Sequence, residues 1–331
     1  MDLSKQESAF ALSVIRESSA ICRRVQNRMA VRGMAKNDLS PVTVADFCVQ
    51  AYVGREIDAY FPGAVLVAEE RSEMLQRPDG VQMLELVTDV LRQSVNDATP
   101  EKTCEWIDRG AAEPGSRFWT LDPVDGTKGY LRGGQYAVAL ALIENGTVVL
   151  GALGCPNLGE YCTPESGGAG LLAMARRGEG AWQTPLNADA PFQPLRVSDC
   201  ANPAEARILR SYESGHTNTD QIEEVCARLG TAAKPVLMDS QAKYAVLAAG
   251  GGEMLFRMLS PKAPDYKEKI WDQAAGAIIL EEAGGKITDL WGKPLDFSRG
   301  RTLSANTGVF ASNGHLHQAG LDAIASVLSQ R

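Results

Sequence analysis

Apolar positions in the first 60 residues recur with the spacing of amphipathic helices. Between Phe10 and Val25 the apolar residues fall near helical spacing and charged residues separate them, which predicts a helix over 7–31. A polar stretch then interrupts the pattern. Thr43 is a good N-cap for a second helix, which we expect to reach about Tyr60.

Short apolar runs bounded by turn residues follow, a pattern typical of β-strands. In chain order the pattern predicts a strand at 64–68, a helix at 74–93, and strands at 118–121, 135–143, 146–153 and 171–176. The dipeptide Asn145-Gly146 favours a two-residue hairpin turn between two of these strands. This middle region is therefore expected to be rich in β-structure.

The last third of the chain alternates between strand-like and helix-like segments. The predicted strands are 206–212, 235–238, 253–258 and 285–289, and the predicted helices are 219–229, 241–249 and 271–283. This alternation favours a mixed sheet with crossover helices. Residues 184–194 hold prolines among small and polar residues, which indicates a linker. We therefore expect an N-terminal α+β domain at 1–190 and a C-terminal α/β domain at 191–331.

The composition of the 331 residues is that of a globular protein, with 44% apolar and 22% charged residues. The net charge of −8 argues against a nucleic-acid binder that relies on bulk electrostatics. Charges throughout the first 30 positions argue against a secretory signal, and no apolar run approaches the ~20 residues of a membrane-spanning helix. The seven cysteines include no CxxC pair, which indicates reduced thiols. We expect a cytoplasmic protein without nucleic-acid or membrane partners.

The segment Asp122-Pro123-Val124-Asp125-Gly126-Thr127 is the most informative stretch of the sequence. A predicted strand leads two carboxylates, three residues apart, into a turn shaped by proline and glycine. Carboxylate and main-chain carbonyl oxygens suit a hard cation such as Mg²⁺, and the start of a helix at Thr127 would offer N–H groups to a phosphate. Taken alone, the segment also fits a surface Asx-type turn.

Three further acidic positions favour the metal site over the surface turn. Glu69 and Glu70 end a predicted strand, Asp46 lies near the start of the second helix, and Asp272 stands among apolar residues. A carboxylate in such surroundings is costly to bury unless it is paired or binds a metal. Asp272 alone also fits a helix cap. Together the acidic positions indicate a multi-metal phosphatase site.

These motifs resemble the inositol monophosphatase superfamily of lithium-sensitive, Mg²⁺-dependent phosphatases. The resemblance rests on Ala68-Glu69-Glu70, on the segment from Asp122 to Thr127, and on Trp271-Asp272-Gln273-Ala274-Ala275-Gly276, which occur in the expected order and bracket most of the chain. Ala68 stands where many members carry glycine, a difference of one methyl group. The implied fold is the superfamily's layered αβαβα sandwich, an α/β (α+β) architecture.

One branch of the superfamily, the 3′(2′),5′-bisphosphate nucleotidases, is more similar still. The segments that carry this resemblance are Ser40-Pro41-Val42-Thr43-Val44-Ala45-Asp46, Gly215-His216, Ser240-Gln241-Ala242-Lys243-Tyr244, Glu268-Lys269-Ile270-Trp271-Asp272, Leu295-Asp296-Phe297 and Gly300-Arg301-Thr302-Leu303. The branch resemblance therefore adds diagnostic residues from the C-terminal half to the shared metal-site motifs.

The resemblance implies a role for each matching residue. Two or three Mg²⁺ ions would be held by Glu69, Asp122, Asp125, Asp272 and the Val124 carbonyl. Asp46 and Thr127 would form the pair that orients and deprotonates the attacking water, which the metal ions activate. Backbone N–H groups of Gly126 and Thr127 would hold the phosphate that is cleaved. The second phosphate would be held by Ser240, Lys243 and Arg257, and the nucleoside would lie near Glu213 and His216.

The implied reaction is hydrolysis of the 3′-phosphate of 3′-phosphoadenosine 5′-phosphate or its 5′-phosphosulfate analogue, a reaction that belongs to sulfur metabolism. Two alternatives remain open: an inositol mono- or bisphosphate phosphatase with the same metal site, and a catalytically inactive nucleotide-sensing protein. Lys243 and Arg257 also fit solvated surface charges. The expected partner is a small nucleotide substrate, and the chain is expected to be a monomer or homodimer.

Overall fold

The computed structural model describes residues 1–32, 41–163, 167–212 and 217–329. The α-helices are α1 (Gln6–Arg32), α2 (Pro41–Tyr60), α3 (Val81–Leu91), α4 (Pro100–Asp108), α5 (Thr127–Arg132), α6 (Thr219–Leu229), α7 (Ala242–Ala248), α8 (Ala274–Glu282) and α9 (His317–Leu328). The strands are β1 (Val65–Ala68), β2 (Arg117–Asp125), β3 (Ala137–Glu144), β4 (Thr147–Cys155), β5 (Leu171–Arg176), β6 (Ala181–Pro185), β7 (Gln193–Pro194), β8 (Ile208–Arg210), β9 (Val236–Leu237), β10 (Met254–Arg257), β11 (Lys286–Thr288) and β12 (Val309–Ser312).

Within these described ranges the strands form two sheets. The first has seven strands in chain order from β1 to β7, and the second has five strands in the order β11-β12-β10-β8-β9. β1 runs parallel to β2, and each later neighbour in the first sheet is antiparallel. In the second sheet β10, β8 and β9 are parallel, while β12 is antiparallel to both of its neighbours.

Helices cover both faces of each sheet. α1 and α2 pack on one face of the first sheet, α7 and α8 lie between the two sheets, and α6 and α9 cover the far side of the second sheet. The first seven residues of α8, from Ala274 to Leu280, are all apolar and buried, as expected for a helix between two sheets, and Glu281 and Glu282 follow at its C-terminal end. The layers are therefore α, β, α, β, α, which agrees with the sandwich predicted from the sequence.

The hairpin prediction at Asn145-Gly146 is confirmed in its geometry. Asn145 has a φ of 49° and Gly146 a φ of 76°, and the turn joins β3 to β4. A two-residue turn with positive φ at both positions has the twist that adjacent antiparallel strands require. Asparagine and glycine tolerate this conformation better than other residues, which explains why the dipeptide is informative.

The helix predicted over 74–93 is wrong in its first part. Residues Ser72–Met74 form a 3₁₀ turn, and α3 begins only at Val81, after a turn that contains Pro78. Proline disfavours the helical conformation of the residue before it and lacks an N–H group, so the apolar periodicity could not continue as a helix through this point.

The predicted linker at 184–194 belongs partly to the first sheet. β6 ends at Pro185, and β7 consists of Gln193–Pro194 at the edge of the sheet, where a proline is tolerated because one side needs no hydrogen bond. Buried residues from both sides of residue 190 pack into the same hydrophobic core. This middle core lies between the two sheets and contains α7 and α8. The domain boundary near 190 stays a prediction.

The sequence pattern also missed α4, β12 and α9. In α9 the large apolar residues Leu321, Ile324, Val327 and Leu328 follow the helical period, with alanine, glycine and serine at many of the other positions. Among the described residues, no helix combines the length and apolar character that crossing a membrane requires.

Candidate active site

β2 delivers both carboxylates of its acidic motif to one face of the first sheet. In a regular strand, residues three apart point to opposite faces. Asp122 pairs with Ala139 of β3 and Asp125 pairs with Ala137, so three steps along β2 match two along β3. This bulge returns Asp125 to the face of Asp122. Both alanines pack in the middle core, so the shared face is the one toward α7 and α8.

Gly126 forms the turn after β2 and precedes α5. Its φ is +90°, a conformation that favours glycine, and a Cβ at this position would lie 2.7 Å from the Cβ of Ser240. Both the conformation and the close approach therefore require glycine. The first residue of α5 is Thr127, whose side chain is exposed.

Glu69 leaves β1 beside the acidic motif of β2. Ala68, the last residue of β1, pairs with Leu121 in the parallel ladder, which places Glu69 beside Asp122. Gln50, fully buried on α2, fixes the turn that follows: its Nε2 donates to the Glu70 carbonyl at 2.8 Å, and its Oε1 accepts from the Glu70 N–H at 2.9 Å. These bonds hold the backbone from which Glu69 projects.

Asp272 reaches the same region from the segment that leads into α8. The N-cap residue of α8 is Gln273, and the described residues show no side-chain capping bond at this helix, so the capping alternative for Asp272 is wrong. Asp272 instead lines a cavity together with Asp122 and Asp125. The carboxylates that resembled metal ligands in the sequence therefore converge from β1, β2 and the start of α8.

The cavity has a volume of about 310 Å³ and lies where the first sheet, α7 and strands β8 and β10 meet. The predicted residues that line it are Glu69, Asp122, Val124, Asp125, Gly126, Thr127, Ser240, Lys243, Arg257 and Asp272. The remaining lining residues were not predicted: Lys128, Arg210, Ser211, Thr217, Asp239, Phe256, Tyr266 and Lys269. Glu213 and His216 lie outside the described residues.

The carboxylates around the cavity repel one another. Burial raises the pKa of Asp122 well above its usual range, and Glu69, Asp125 and Asp272 raise it further. Burial also raises the pKa of Asp272; Arg257 opposes this rise, and Asp125 adds to it. Within the described residues, Oδ1 of Asp122 is buried with no hydrogen-bond partner. Crowded negative charge and an unpartnered buried oxygen are both relieved by a bound cation.

The donor set fits a hard divalent cation, because carboxylate oxygens dominate it and the described residues that line the cavity include no thiolate or imidazole. In the described ranges, no group of three or more His, Cys, Asp or Glu side chains is already gathered closely enough to hold an ion. The carboxylates share a cavity, and binding of an ion would require their side chains to move together.

Asp46 and Thr127, the predicted catalytic pair, lie on α2 and α5, which pack against each other. Asp46 is half-buried, and its pKa is raised well above its usual range by burial and by the charges of Glu70 and Glu69. The hydrogen bonds of the described residues do not include one between Asp46 and Thr127. Their joint role stays a prediction.

Ser240 and Gln241 connect α7 to the acidic cluster, the name given to Glu69, Asp122, Asp125 and Asp272. Ser240 has a φ of +67°, a strained conformation for a residue with a Cβ, and such strain occurs where surrounding contacts enforce it. The next N–H group, that of Gln241, donates to Oδ2 of Asp125 at 2.5 Å. The backbone turn at Ser240 therefore contacts one of the carboxylates directly.

Lys243 and Arg257 are not solvated surface charges. Lys243 is only 5% exposed, and its ammonium donates to Oγ of Ser211 at 3.3 Å and to the Met238 carbonyl at 3.4 Å. Burial lowers the pKa of Lys243 to about 8, although Asp125 opposes the shift. Arg257 forms an ion pair with buried Glu268 at 2.8 Å. Two cations therefore line the same cavity as the carboxylates.

The chain is similar to known proteins in both sequence and fold. A sequence profile described as the Inositol monophosphatase family matches residues 5–329. A 3′(2′),5′-bisphosphate nucleotidase of Schizosaccharomyces pombe is 38% identical and covers 98% of this chain and 96% of its own length. One of Oryza sativa is 40% identical, with 98% and 95% covered. The IMPase of Thermotoga maritima, a solved structure, has a TM-score of 0.65 at 20% identity and covers 98% of this chain and 99% of its own.

The chain therefore belongs to the inositol monophosphatase family. The resemblance to the bisphosphate nucleotidase branch is confirmed by the relatives that carry that name, and with it the expectation of an enzyme of the phosphatase class. The solved structure supports the fold, and the predicted layered sandwich is confirmed.

Proposed function

We propose that this protein hydrolyses the 3′-phosphate of 3′-phosphoadenosine 5′-phosphate to give adenosine 5′-phosphate and phosphate. The observation that carries the proposal is the pairing, in one cavity, of an acidic cluster with the buried cation of Lys243. A substrate with two phosphates has one phosphate for the acidic cluster with its bound cations and one phosphate for Lys243. The names of the relatives from Schizosaccharomyces pombe and Oryza sativa support the same substrate class. The sulfated analogue, 3′-phosphoadenosine 5′-phosphosulfate, is proposed as a second substrate of this site.

The acidic cluster is proposed to hold two or three Mg²⁺ ions through Glu69, Asp122, Asp125, Asp272 and the Val124 carbonyl. When bound, the ions supply positive charge that activates water and stabilises the transferring phosphoryl group and the departing oxygen. The phosphate oxygens would also accept hydrogen bonds from the N–H groups of Gly126 and Thr127 at the start of α5. No covalent intermediate with the protein is needed.

Asp46 and Thr127 are proposed to act on the attacking water. The Thr127 hydroxyl would donate to a carboxylate oxygen of Asp46, which leaves the hydroxyl oxygen to accept a hydrogen bond from the water. The proton of the water would move through Thr127 to Asp46 as the new oxygen–phosphorus bond forms and the bond between phosphorus and the ribose 3′-oxygen breaks. The departing 3′-oxygen would take up a proton from solvent and leave as the hydroxyl group. A raised pKa is what a carboxylate that takes a proton requires, and burial beside Glu70 and Glu69 supplies it.

The 5′-phosphate is proposed to bind at Ser240, Lys243 and Arg257, and the nucleoside near Glu213 and His216. Among the described residues, the buried ammonium of Lys243 makes only two hydrogen bonds, both long, so a phosphate would give it a stronger, charge-assisted partner. Arg257 keeps Glu268 as a partner and offers its remaining donors. Inositol monophosphate has no second phosphate for these cations, which makes it the poorer substrate.

The proposal is tested by phosphate release from equal concentrations of the 3′,5′-bisphosphate and inositol 1-phosphate. We expect kcat/KM to favour the nucleotide by at least about tenfold, the effect of one charge-assisted contact. A preference for inositol 1-phosphate would establish the inositol phosphatase alternative. Absence of phosphate release from both substrates with Mg²⁺ present would favour the inactive, nucleotide-sensing alternative.

Lys243→Ala should separate the two phosphates of the substrate. We expect KM for the 3′,5′-bisphosphate to rise by about tenfold or more, because a charge-assisted hydrogen bond contributes about 1.5–3 kcal/mol. Hydrolysis of adenosine 3′-phosphate, which lacks the 5′-phosphate, should change little. The measurement is steady-state kinetics on both substrates.

Two variants control for packing and for charge in this experiment. Lys243→Met keeps most of the buried side-chain volume and should give the same selective loss, whereas Lys234→Ala removes an exposed lysine and should behave as wild type. An equal loss on both substrates in Lys243→Ala and Lys243→Met would assign Lys243 to the fold or the metal site instead of the 5′-phosphate.

Mg²⁺ should stabilise the folded protein, because crowded carboxylates repel one another without a cation. An ion at about 100 times its Kd adds about 2.7 kcal/mol to the free energy of unfolding, which corresponds to a rise in Tm of several degrees. Thermal unfolding in MgCl₂ and in NaCl of equal ionic strength measures the effect. The same Tm in both salts would contradict an Mg²⁺ site in the cavity.

A further inference from the structure

The segment that contains Arg301 lies beside the residues that directly precede Asp272 in the chain. The Ile270 N–H donates to the Arg301 carbonyl at 3.2 Å, and Lys269 and Thr302 form an isolated antiparallel bridge. The Leu303 N–H donates to the Glu268 carbonyl at 2.8 Å. The backbone of Arg301 is thus attached to the strand-like segment that leads into Asp272.

The side chain of Arg301 reaches the end of β1. Its guanidinium donates through Nη2 to the Ala68 carbonyl, and through Nη1 to the Ala112 carbonyl at 2.9 Å and the Gly110 carbonyl at 3.3 Å. Ala68 is the last residue of β1 and directly precedes Glu69. One side chain therefore connects the backbone before Glu69 to the segment before Asp272.

The same guanidinium also contacts Trp271. Its central carbon lies 4.9 Å from the centre of the Trp271 ring, over the ring face, and this ring is only 6% exposed. Among the described residues, the Trp271 Nε1 is buried without a hydrogen-bond partner, so ring packing and the cation hold this side chain. Trp271 directly precedes Asp272. Arg301 therefore contacts the residue before each of two carboxylates that come from different parts of the fold.

The hydrogen bonds that the described residues show for Arg301 all end on backbone carbonyls. No carboxylate pairs with it in the part of the chain that the structure describes. Its contribution is therefore geometric: a planar fork spans three carbonyls while its face covers an indole ring. An ammonium cannot reproduce that arrangement, because lysine offers a point charge on a flexible stem.

We propose that Arg301 is a positioning residue that holds Glu69 and Asp272 in register and so sets the affinity of the site for Mg²⁺. This inference rests on the proposed metal role of those two carboxylates. Loss of a residue that orients metal ligands weakens metal binding by about 10–100-fold, which is the effect expected for replacement of Arg301.

Arg301→Gln and Arg301→Lys test the proposal by whether each variant strengthens or weakens Mg²⁺ binding. Arg301→Gln removes a positive charge near the site, and by charge alone it should tighten Mg²⁺ binding. Arg301→Lys keeps the charge and should leave binding unchanged if charge is all that matters. The positioning role predicts weaker Mg²⁺ binding in both variants. The control is Arg299→Ala, which removes a more exposed arginine whose side chain pairs with Asp296.

The readouts are Mg²⁺ titration by calorimetry and Tm as a function of Mg²⁺ concentration, with phosphate release measured on the same samples. We expect the Mg²⁺ Kd to rise about 10–100-fold in both Arg301 variants and not in Arg299→Ala, while KM for the nucleotide at saturating Mg²⁺ stays within about twofold. A lower Tm without Mg²⁺ combined with an unchanged Mg²⁺ Kd would show a merely structural role and overturn the proposal. Tighter binding in Arg301→Gln would also overturn it.

The Mg²⁺ titration tests the positioning role of Arg301, and the substrate assay tests the proposed substrate. A wild-type protein that binds Mg²⁺ but leaves the bisphosphate intact would contradict the proposed substrate, whereas the Arg301 variants would still decide the positioning role through their Mg²⁺ Kd. If Arg301→Gln does not fold, Arg301→Lys decides the question alone, because it keeps the charge and most of the side-chain stem. A wild-type protein without Mg²⁺ affinity would overturn both proposals.

Discussion

Asp125→Asn should lower kcat by on the order of a thousandfold at saturating Mg²⁺, which corresponds to about 4 kcal/mol of lost transition-state stabilisation. Asp125 combines two contacts in the structure: it lines the cavity beside Asp122, and its Oδ2 accepts the Gln241 N–H. An asparagine keeps the shape and one acceptor oxygen but loses the negative charge that balances bound cations. Steady-state phosphate release over a range of Mg²⁺ concentrations measures the loss.

The fold should survive the Asp125→Asn change. Burial raises the pKa of Asp125, so a neutral side chain costs less to bury, and the asparagine Oδ1 can still accept the Gln241 N–H. We therefore expect a Tm without Mg²⁺ at or above that of the wild type, together with a smaller rise when Mg²⁺ is added. Asp97→Asn, at an exposed aspartate that pairs with Lys102, is the matched control and should keep full activity. A wild-type rate for Asp125→Asn at saturating Mg²⁺ would remove Asp125 from the metal site.

Thr127→Ala and Asp46→Asn should each lower kcat by about 100-fold or more, the scale of a positioned proton transfer. Because the two residues are proposed to handle one water, removal of either should disable the same step. The double variant should then lose little more than the worse single variant, as expected for residues that act as a unit. The measurement is a double-mutant cycle on kcat.

The cycle also decides whether the two residues meet during the reaction. The described hydrogen bonds do not join Asp46 to Thr127, although their helices pack together. Bound ions and substrate would have to bring the two side chains into contact. Fully additive losses would show that they serve separate steps, and Asp46 would then act through its neighbours Glu69 and Glu70.

The sequence predicted most of the acidic cluster because each member has a local signature. Asp122 and Asp125 stand in a motif punctuated by proline and glycine, and Asp272 is conspicuous among apolar residues. The sequence could not show that Asp122 and Asp125 face the same side, since residues three apart in a regular strand do not. The bulge against Ala137 and Ala139 supplies that fact, and it depends on pairing with a distant strand.

Other parts of the site have no local signature at all. Arg210, Asp239 and Tyr266 line the cavity because β8, α7 and the segment before α8 come together, and nothing near each residue in the chain indicates this. The contacts of Arg301 were even less predictable from the sequence. Its acceptor on Ala68 lies 233 residues earlier in the chain. The spacing of residues in the sequence predicts which residues are neighbours along one helix or strand. It does not predict which residues of different elements come into contact.

The prediction of helices and strands also depended on local signatures in the sequence. The hairpin at Asn145-Gly146 was predictable because two residues determine its geometry. α9 was missed although Leu321, Ile324, Val327 and Leu328 follow the helical period and pack in a core with the second sheet and α6, so a helix at this place was predictable from the sequence.

The orientation of the substrate is the central claim, and the nucleoside product tests it most directly. Incubation of the protein with 3′-phosphoadenosine 5′-phosphate and Mg²⁺, followed by chromatographic separation of adenosine 5′-phosphate from adenosine 3′-phosphate, identifies the phosphate that is removed. If the acidic cluster cleaves the 3′-phosphate while Ser240, Lys243 and Arg257 hold the other, the nucleoside product is adenosine 5′-phosphate, with one phosphate released per nucleotide. Adenosine 3′-phosphate as the product, or an intact bisphosphate, would contradict the account.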